Sequence, residues 1–287
     1  MKGKCKLYDE ESELRESHII PKFIIDYFKS TGSRFIRAFD TPNQRRQDGI
    51  KRNYLSQRAE LDFSKKEKWF AENIFKPFLD NGQSSFVYDE NLYFFLLSVL
   101  WRGLLHQLEL PEINKDPNLK ILLKVEQEWK SYLSGKGYPK EFKDVNLFLA
   151  DGIAAHDTEV TGVDYYFTRT IDFTILADNS GQCIYVYCKF LRFIIWATVK
   201  DVHPNLNTEL IIEREGGSIN YPQKIQDAYV MQSLLKRVRI IESLPGPSEV
   251  QMDKIMAEII KNPDSLYQSS AGRAIFNDFR LDKNKTQ

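Results

Sequence analysis

The stretch Leu14-Arg15-Glu16-Ser17-His18-Ile19-Ile20-Pro21-Lys22-Phe23 decides how the chain is read. Taken alone, His18 is a histidine satisfied by hydrogen bonds at a strand end, and its meaning comes from what stands on either side. Upstream lies Cys5-Lys6-Leu7-Tyr8; downstream, Leu55-Ser56-Gln57-Arg58-Ala59-Glu60 leads into Phe63-Ser64-Lys65-Lys66-Glu67. Between His18 and Glu60 fall Arg34, Arg37, Arg45, Arg46, Lys51, Arg52 and Arg58, so residues 1 to 76 hold 17 Lys+Arg against 12 Asp+Glu. Over all 287 residues the 40 basic and 40 acidic side chains cancel, and no whole-molecule field draws the protein to nucleic acid or an anionic membrane. A charged partner must therefore meet a local patch. The basic segment is one such patch, and a solvated basic loop has the same composition.

Composition narrows the class. With 42% apolar, 28% charged and 13% aromatic residues, the chain is neither disordered nor fibrous and can bury a substantial core. The acidic, polar N-terminus lacks the apolar run of a secretory signal, so a cytoplasmic protein is expected. The most apolar window, Cys183 to Val199, is interrupted by Lys189 and Arg192 and falls short of the ~20 apolar residues a membrane helix needs. It reads as buried strand, and no membrane association is expected. Cys5, Cys183 and Cys188 are expected as free thiols.

Along the chain, residues 1 to about 58 are irregular. Ala59, Phe63, Phe70, Ile74 and Phe78 then recur on one helical face, with Pro77 and Gly82 marking the end. Asn91 to Leu108 is apolar almost all round, as in a helix surrounded by protein. Leu119, Leu122, Leu123, Glu126, Trp129 and Leu133 form another helical face, closed by Gly135. The spacing changes at Val163 to Ala177 and Gln182 to Val199, which are rich in β-branched and aromatic residues around the turn Asp178-Asn179-Ser180-Gly181. Helices resume from Pro222, break at Leu244-Pro245-Gly246-Pro247, and restart with the capping-box pattern Ser248-Glu249-Val250-Gln251, to stop at Asn262-Pro263. The tail after Asp278 is polar and expected to fray.

The Ser17-His18-Ile19-Ile20-Pro21-Lys22 run resembles the first half of an HNH, or His-Me finger, nuclease motif. It is similar in particular to bacterial nuclease-like proteins that open with a Cys-x-x-Cys knuckle and carry Leu-Cys-x-x-Cys-Glu at the head of a later helix. Leu55-Ser56-Gln57-Arg58-Ala59-Glu60 stands in the place of that second element, and the resemblance covers residues 1 to about 75. It implies a ββα unit suited to phosphodiester hydrolysis, which needs a base to activate water and a divalent cation to neutralise phosphate oxygens. Carried over, His18 is the general base, Ser17 stands at the first metal-ligand position and Glu60 at the distal one, with Mg²⁺ or Mn²⁺ as cofactor. Lys22, Arg34, Arg37, Arg45, Arg46, Lys51, Arg52 and Arg58 would contact phosphates.

The departures weigh against catalysis. Of four expected cysteines only Cys5 is present, and Tyr8, Ser56 and Ala59 cannot supply thiolates to zinc. Tyr8 is large enough to fill the vacated space. Ser17 is a poor ligand for a divalent metal compared with Asp.

Two functions remain. One is an HNH-endonuclease-like protein acting on nucleic acid, in bacterial defence by analogy with the resembling proteins. The other is a catalytically inactive, nuclease-derived binding or scaffold module for nucleic acid or a protein partner.

Other candidates are weaker. Asp151, His156, Asp157 and Glu159 read as a polar loop, His106 as a core histidine and His203 as part of a turn. Asp172 and Lys189 suggest a different nuclease arrangement that wants an acid at Tyr187, and that assignment is rejected. The expected fold is α+β: a small degenerate HNH-like ββα module, residues 1–80, packed on a larger, mainly helical body, residues 81–287. That body would hold helices over 89–134, a small antiparallel sheet over 163–214 and helices over 222–276. Elemental analysis of the purified protein is expected to find no stoichiometric zinc; one zinc per chain would mean that the knuckle is mapped onto the wrong residues.

Overall fold

In the computed structural model, which describes residues 1–154, 160–178, 180–202 and 208–284, the N-terminal segment is regular rather than irregular. Strands β1 (Lys2–Lys4) and β2 (Glu11–His18) pair antiparallel. Helix α1 (Lys22–Ser30) follows Pro21, and a hairpin of β3 (Ile36–Ala38) and β4 (Thr41–Arg46) is inserted before β5 (Lys51–Ser56). Strand β5 returns to β2, giving a sheet of order β1-β2-β5 in which Leu14 faces Ser56 and His18 faces Lys51. A bulge between Arg15 and Glu16 shifts the strand's phase, so the buried side chains are Leu14 and Ser17, three apart rather than two.

Ser56 caps α2 (Gln57–Phe70) by accepting the Ala59 N–H at 3.4 Å, which starts the helix two residues before the expected Ala59. A π-helical turn (Ala71–Phe75) leads into α3 (Lys76–Asn81), so Pro77 lies in the first turn of α3 and does not end the helix. Proline has no N–H and clashes with the carbonyl four residues back. A widened turn just before it is one way to accommodate both. Gly82, at φ 64°, supplies the left-handed C-terminal residue.

Strand β6 (Ser85–Asp89) runs into α4 (Glu90–Leu108), which is buried over almost its whole length from Leu92 to His106. Helix α5 (Leu119–Leu133) packs Leu122, Val125, Trp129 and Leu133 inward. Then come β7 (Val145–Leu149), α6 (Val163–Arg169), β8 (Ile171–Ala177), β9 (Ile184–Phe190) and β10 (Phe193–Lys200), with an antiparallel sheet ordered β7-β10-β9-β8. Strand β11 (Gly216–Asn220) pairs with β6. Helices α7 (Ala228–Glu242), α8 (Glu249–Lys261), α9 (Pro263–Gln268) and α10 (Ser270–Asn284) complete the chain.

The α+β class holds, while several finer expectations do not. Val163 to Arg169 is helix, because the Asp278 carboxylate accepts the N–H groups of Asp164 (2.8 Å) and Tyr165 (2.9 Å) at its first turn. Asp278 belongs to α10, which runs on to Asn284 and buries Leu281 rather than fraying after Asp278. Residues 208–214 hold a short 3-10 turn (Thr208–Leu210) and an isolated bridge from Ile211 to Asn146 rather than a strand, and His203 lies outside the described residues. Helix α7 starts at Ala228, not Pro222, where Asp227 accepts the Tyr229 N–H.

One apolar cluster runs from Cys5 to Ile219, so the N-terminal strands share the core of the body. At its centre Phe70 of α2 lies flat on Phe95 of α4, with centroids 4.1 Å apart and planes 13° apart. Phe193 of β10 meets Phe70 edge-on at 5.3 Å and stacks on Phe75 at 5.3 Å, and Phe23 of α1 meets Phe75 at 5.2 Å. A second cluster packs α6 and α7 on the other side of the four-stranded sheet. Phe70→Ala is expected to cost about 3–5 kcal/mol, as for other fully buried Phe truncations, and to lower the urea midpoint accordingly. A loss below about 1 kcal/mol would show that the stack is not the centre of the core.

Candidate functional site

His18 ends β2 with its side chain 14% exposed. Its carbonyl accepts Arg102 Nη1 of α4 at 3.0 Å, and its Nε2 lies 2.8 Å from Oδ1 of Asp48, in the bend between β4 and β5. Burial opposes ionisation of Asp48. Lys51 Nζ at 2.8 Å, His18 and the Gly49 N–H at 2.9 Å outweigh it and hold the carboxyl well below the usual range. A carboxylate only accepts hydrogen bonds, so Nε2 of His18 carries a proton, and in the neutral ring Nδ1 is the nitrogen with the lone pair. Asp48 thus fixes the tautomer.

Of the four positions assigned to a knuckle, Cys5, Ser56 and Ala59 are linked by hydrogen bonds, and Tyr8 bonds elsewhere. Cys5 is fully buried and its Sγ accepts the Ser56 N–H at 3.4 Å. Ser56 Oγ donates to Glu10 at 2.8 Å while accepting the Ala59 N–H. The Cys5 N–H to Glu10 carbonyl and Asp9 N–H to Cys5 carbonyl bonds, both 2.9 Å, close the first turn. Tyr8 donates its hydroxyl to Asp62 of α2 at 2.8 Å and carries the Arg58 guanidinium 4.2 Å over its ring. Burial, with Asp62, pushes the Tyr8 hydroxyl up to about 12.

The residues nominated for metal do not gather round His18. Ser17 is buried and donates to the Arg15 carbonyl at 3.4 Å, and as the strand neighbour of His18 it faces the other side of the sheet. Glu60 lies one turn into α2, which begins beside the Leu14–Ser56 pair, four residues or about 13 Å of strand from His18. Its Oε1 is buried with no donor among the described residues. Among those residues no hydrogen bond or ion pair joins Ser17, His18 and Glu60, and no group of three His, Cys, Asp or Glu could hold a metal ion. Mg²⁺ and Mn²⁺ want several converging oxygens. Ser17, His18 and Glu60 are not brought together, so these residues do not form such a set.

The acid joined to the His18 backbone is Glu67, through Arg102. This buried guanidinium lies 2.9 Å from Glu67 Oε1, an ion pair without hydrogen-bond alignment, and its Nε reaches the Ser98 carbonyl.

The basic side chains all have intramolecular partners. Lys22 pairs with Asp26, Lys51 with Asp48, and Arg52 with the Lys51 carbonyl and, at 3.7 Å, Glu109. In the β3–β4 hairpin Arg37 reaches the Pro42 carbonyl and Gln251, and Arg46 reaches Thr41. Arg34 and Arg45 both approach Glu258 of α8, and Arg58 sits on Tyr8. Sequence reasoning missed Asp48, Arg102 and Glu258. Asp48-Gly49 is a recognisable turn pair, but nothing in its spacing points to His18.

The other candidates that the structure describes have partners within the fold. Asp151 pairs with Arg192, and His156, Asp157 and Glu159 lie outside the described residues. His106 is buried edge-on to Phe173, and burial, then Arg52, lowers its pKa. Asp172 is clamped by Arg237 through two 2.7 Å bonds and by the Tyr166 hydroxyl. Lys189, opposite Asp172 in register, instead donates to the carbonyls of Thr170 and Leu191.

Comparison with known proteins finds no matching family model, no curated relative and no solved structure that matches the chain. Among the described residues no helix is long and apolar enough to cross a membrane.

Asp48 should govern the acid limb of stability. Its folded pKa lies below the unfolded value of about 3.9, so its contribution is present above pH ~4 and is lost as pH falls through the folded value. Asp48→Ala should lower stability at pH 7, flatten the decline between pH 4 and 2, and release the Nε2–H tautomer of His18 in ¹⁵N–¹H spectra. An unchanged tautomer would sink the assignment.

Proposed function

We propose that residues 1–80 are an HNH-like unit that engages the phosphate backbone of nucleic acid, the role in bacterial defence being carried by the resemblance alone. The observation behind this reading is the β2–β5–α2 path with a basic hairpin inserted between its two strands, in which Arg34 and Arg45 lie 4.8 and 5.0 Å from the Phe35 ring centroid. A ring with two guanidiniums beside it offers charge to phosphate and a surface on which a base can stack. The lack of converging metal ligands favours binding without cleavage.

Phosphodiester hydrolysis is the second reading, and the His18–Asp48 pair favours it. Nδ1 of His18 would accept the proton of an attacking water, and Asp48 would stabilise the imidazolium that forms. Mg²⁺ or Mn²⁺ belongs to this reading as an added component.

Labelled single-stranded oligonucleotide, titrated over a salt series, tests the first reading. Binding should weaken as salt rises, and Arg45→Ala/Arg46→Ala should reduce the slope of log affinity against log salt by about one to two. With Mg²⁺ or Mn²⁺ added, the second reading requires cleavage that His18→Ala slows by ~10²- to 10⁴-fold without loss of folding. Binding without cleavage leaves the first reading standing alone, and a protein that neither binds nor cleaves removes both.

A further inference from the structure

Helix α8 is docked in an unusual way. None of its residues is buried, and Val250, Met252, Met256 and Ile260 are all exposed. Helices of this length are ordinarily held by an apolar face against the core, since burial of apolar area is the main source of their stability. Here polar links run to the N-terminal hairpin. The Ser248 N–H donates to Asn43 Oδ1 at 2.8 Å, and the Ser248 side chain makes no capping bond of its own. Arg37 Nη2 donates to Gln251 at 3.1 Å. Arg34 and Arg45 approach one and the same oxygen, Glu258 Oε1, at 3.6 and 3.3 Å.

Two guanidiniums beside one aromatic ring, directed at a single anionic oxygen, form an anion clamp. A carboxylate oxygen and a phosphate oxygen are alike as acceptors for Arg. Exposed ion pairs contribute little each and weaken with salt, so the helix is held in place but not locked there. The Pro245-Gly246-Pro247 break before α8 and Asn262-Pro263 after it set the helix off from α7 and α9.

We infer that Glu258 occupies the place of a nucleic-acid backbone phosphate between Arg34 and Arg45, and that α8 is a built-in competitor which a bound strand displaces. This rests on the reading that the hairpin engages nucleic acid, and it adds how that binding is restrained. The isolated chain binds more weakly than its hairpin allows, and loss of one carboxylate in α8 relieves the restraint.

The test uses the full chain, with fluorescence anisotropy of a labelled 20-nucleotide single-stranded DNA and of an RNA of the same sequence, at low and rising salt. Glu258→Gln keeps the shape of the side chain and removes its charge. It should tighten binding by roughly fivefold, and Arg34→Ala/Arg45→Ala should bring wild type and Glu258→Gln to the same weaker affinity. Either nucleic acid suffices, since the clamp reads phosphate. In hydrogen exchange, residues 249–261 of wild type should exchange faster once the oligonucleotide is bound.

If Glu258→Gln binds no more tightly than wild type while the double Arg variant weakens both, the hairpin reading stands and the competitor is overturned. If the exchange of 249–261 is unchanged in the bound protein, displacement is overturned. If no form binds either oligonucleotide at low salt, the hairpin reading falls and the inference falls with it.

Discussion

Phe70 lying flat on Phe95, with Phe193 against its edge, is the contact on which the rest of the architecture depends. It joins three elements that are far apart in sequence: the helix that follows β5, the buried helix α4 and strand β10 of the four-stranded sheet. Phe23 and Phe75 extend the same packing to α1 and the π-helical turn. Large aromatic rings bury much area and prefer offset or edge-on neighbours, so a cluster of this kind fixes angles as well as distances between elements. The N-terminal strands therefore sit on a rigid platform, and the small sheet β1-β2-β5 need not be stable alone.

That platform also explains how the neighbourhood of His18 is held. Arg102 of α4 is buried, donates to the His18 and Ser98 carbonyls and forms an ion pair with the Glu67 carboxylate. A buried charge is tolerable only when paired, and removing one partner of such a set is costly. The strand end is tied to two helices by one side chain, and Asp48 can then hold the His18 imidazole in a single tautomer. Around the start of α2, Cys5, Ser56 and Glu10 use ordinary hydrogen bonds, and Tyr8 uses its bond to Asp62 and its stacking with Arg58. Directional polar contacts and packing there join a turn to a helix N-terminus, a junction that a structural metal can also make.

Charge is spent differently in the two halves of the molecule. Under α7 the pair of Arg237 and Asp172 is closed in by Tyr166 and Tyr187, and Lys189 is capped by two carbonyls, so these groups hold elements together and offer no open chemistry. Burial holds the Lys189 ammonium well below its usual range. At the hairpin the arginines meet their acid at the surface, where pairs are weak and exchangeable. The contrast follows from burial: a desolvated pair locks, and a hydrated one can be traded for another anion.

The sequence by itself determined the parts whose signal is local. The apolar run Asn91 to Leu108, the helical face from Leu119 to Leu133 closed by Gly135, the helix opening after Ser248 and the strands flanking Asp178 were all legible, because spacing and turn residues act over a few positions. Tertiary structure alone decided the rest. Val163 to Arg169 has strand-like composition and is helical because Asp278, 114 residues from Asp164, caps its first turn. The β6–β11 pairing joins segments that carry no mutual signal. Asp48 and Glu258 became partners of His18 and of Arg34 and Arg45 only once the chain had folded. A period or a cap is written in neighbouring residues, whereas the partner of a charge is set by whichever distant group the packing brings within about 3 to 4 Å, and one sequence read along its length does not contain that distance.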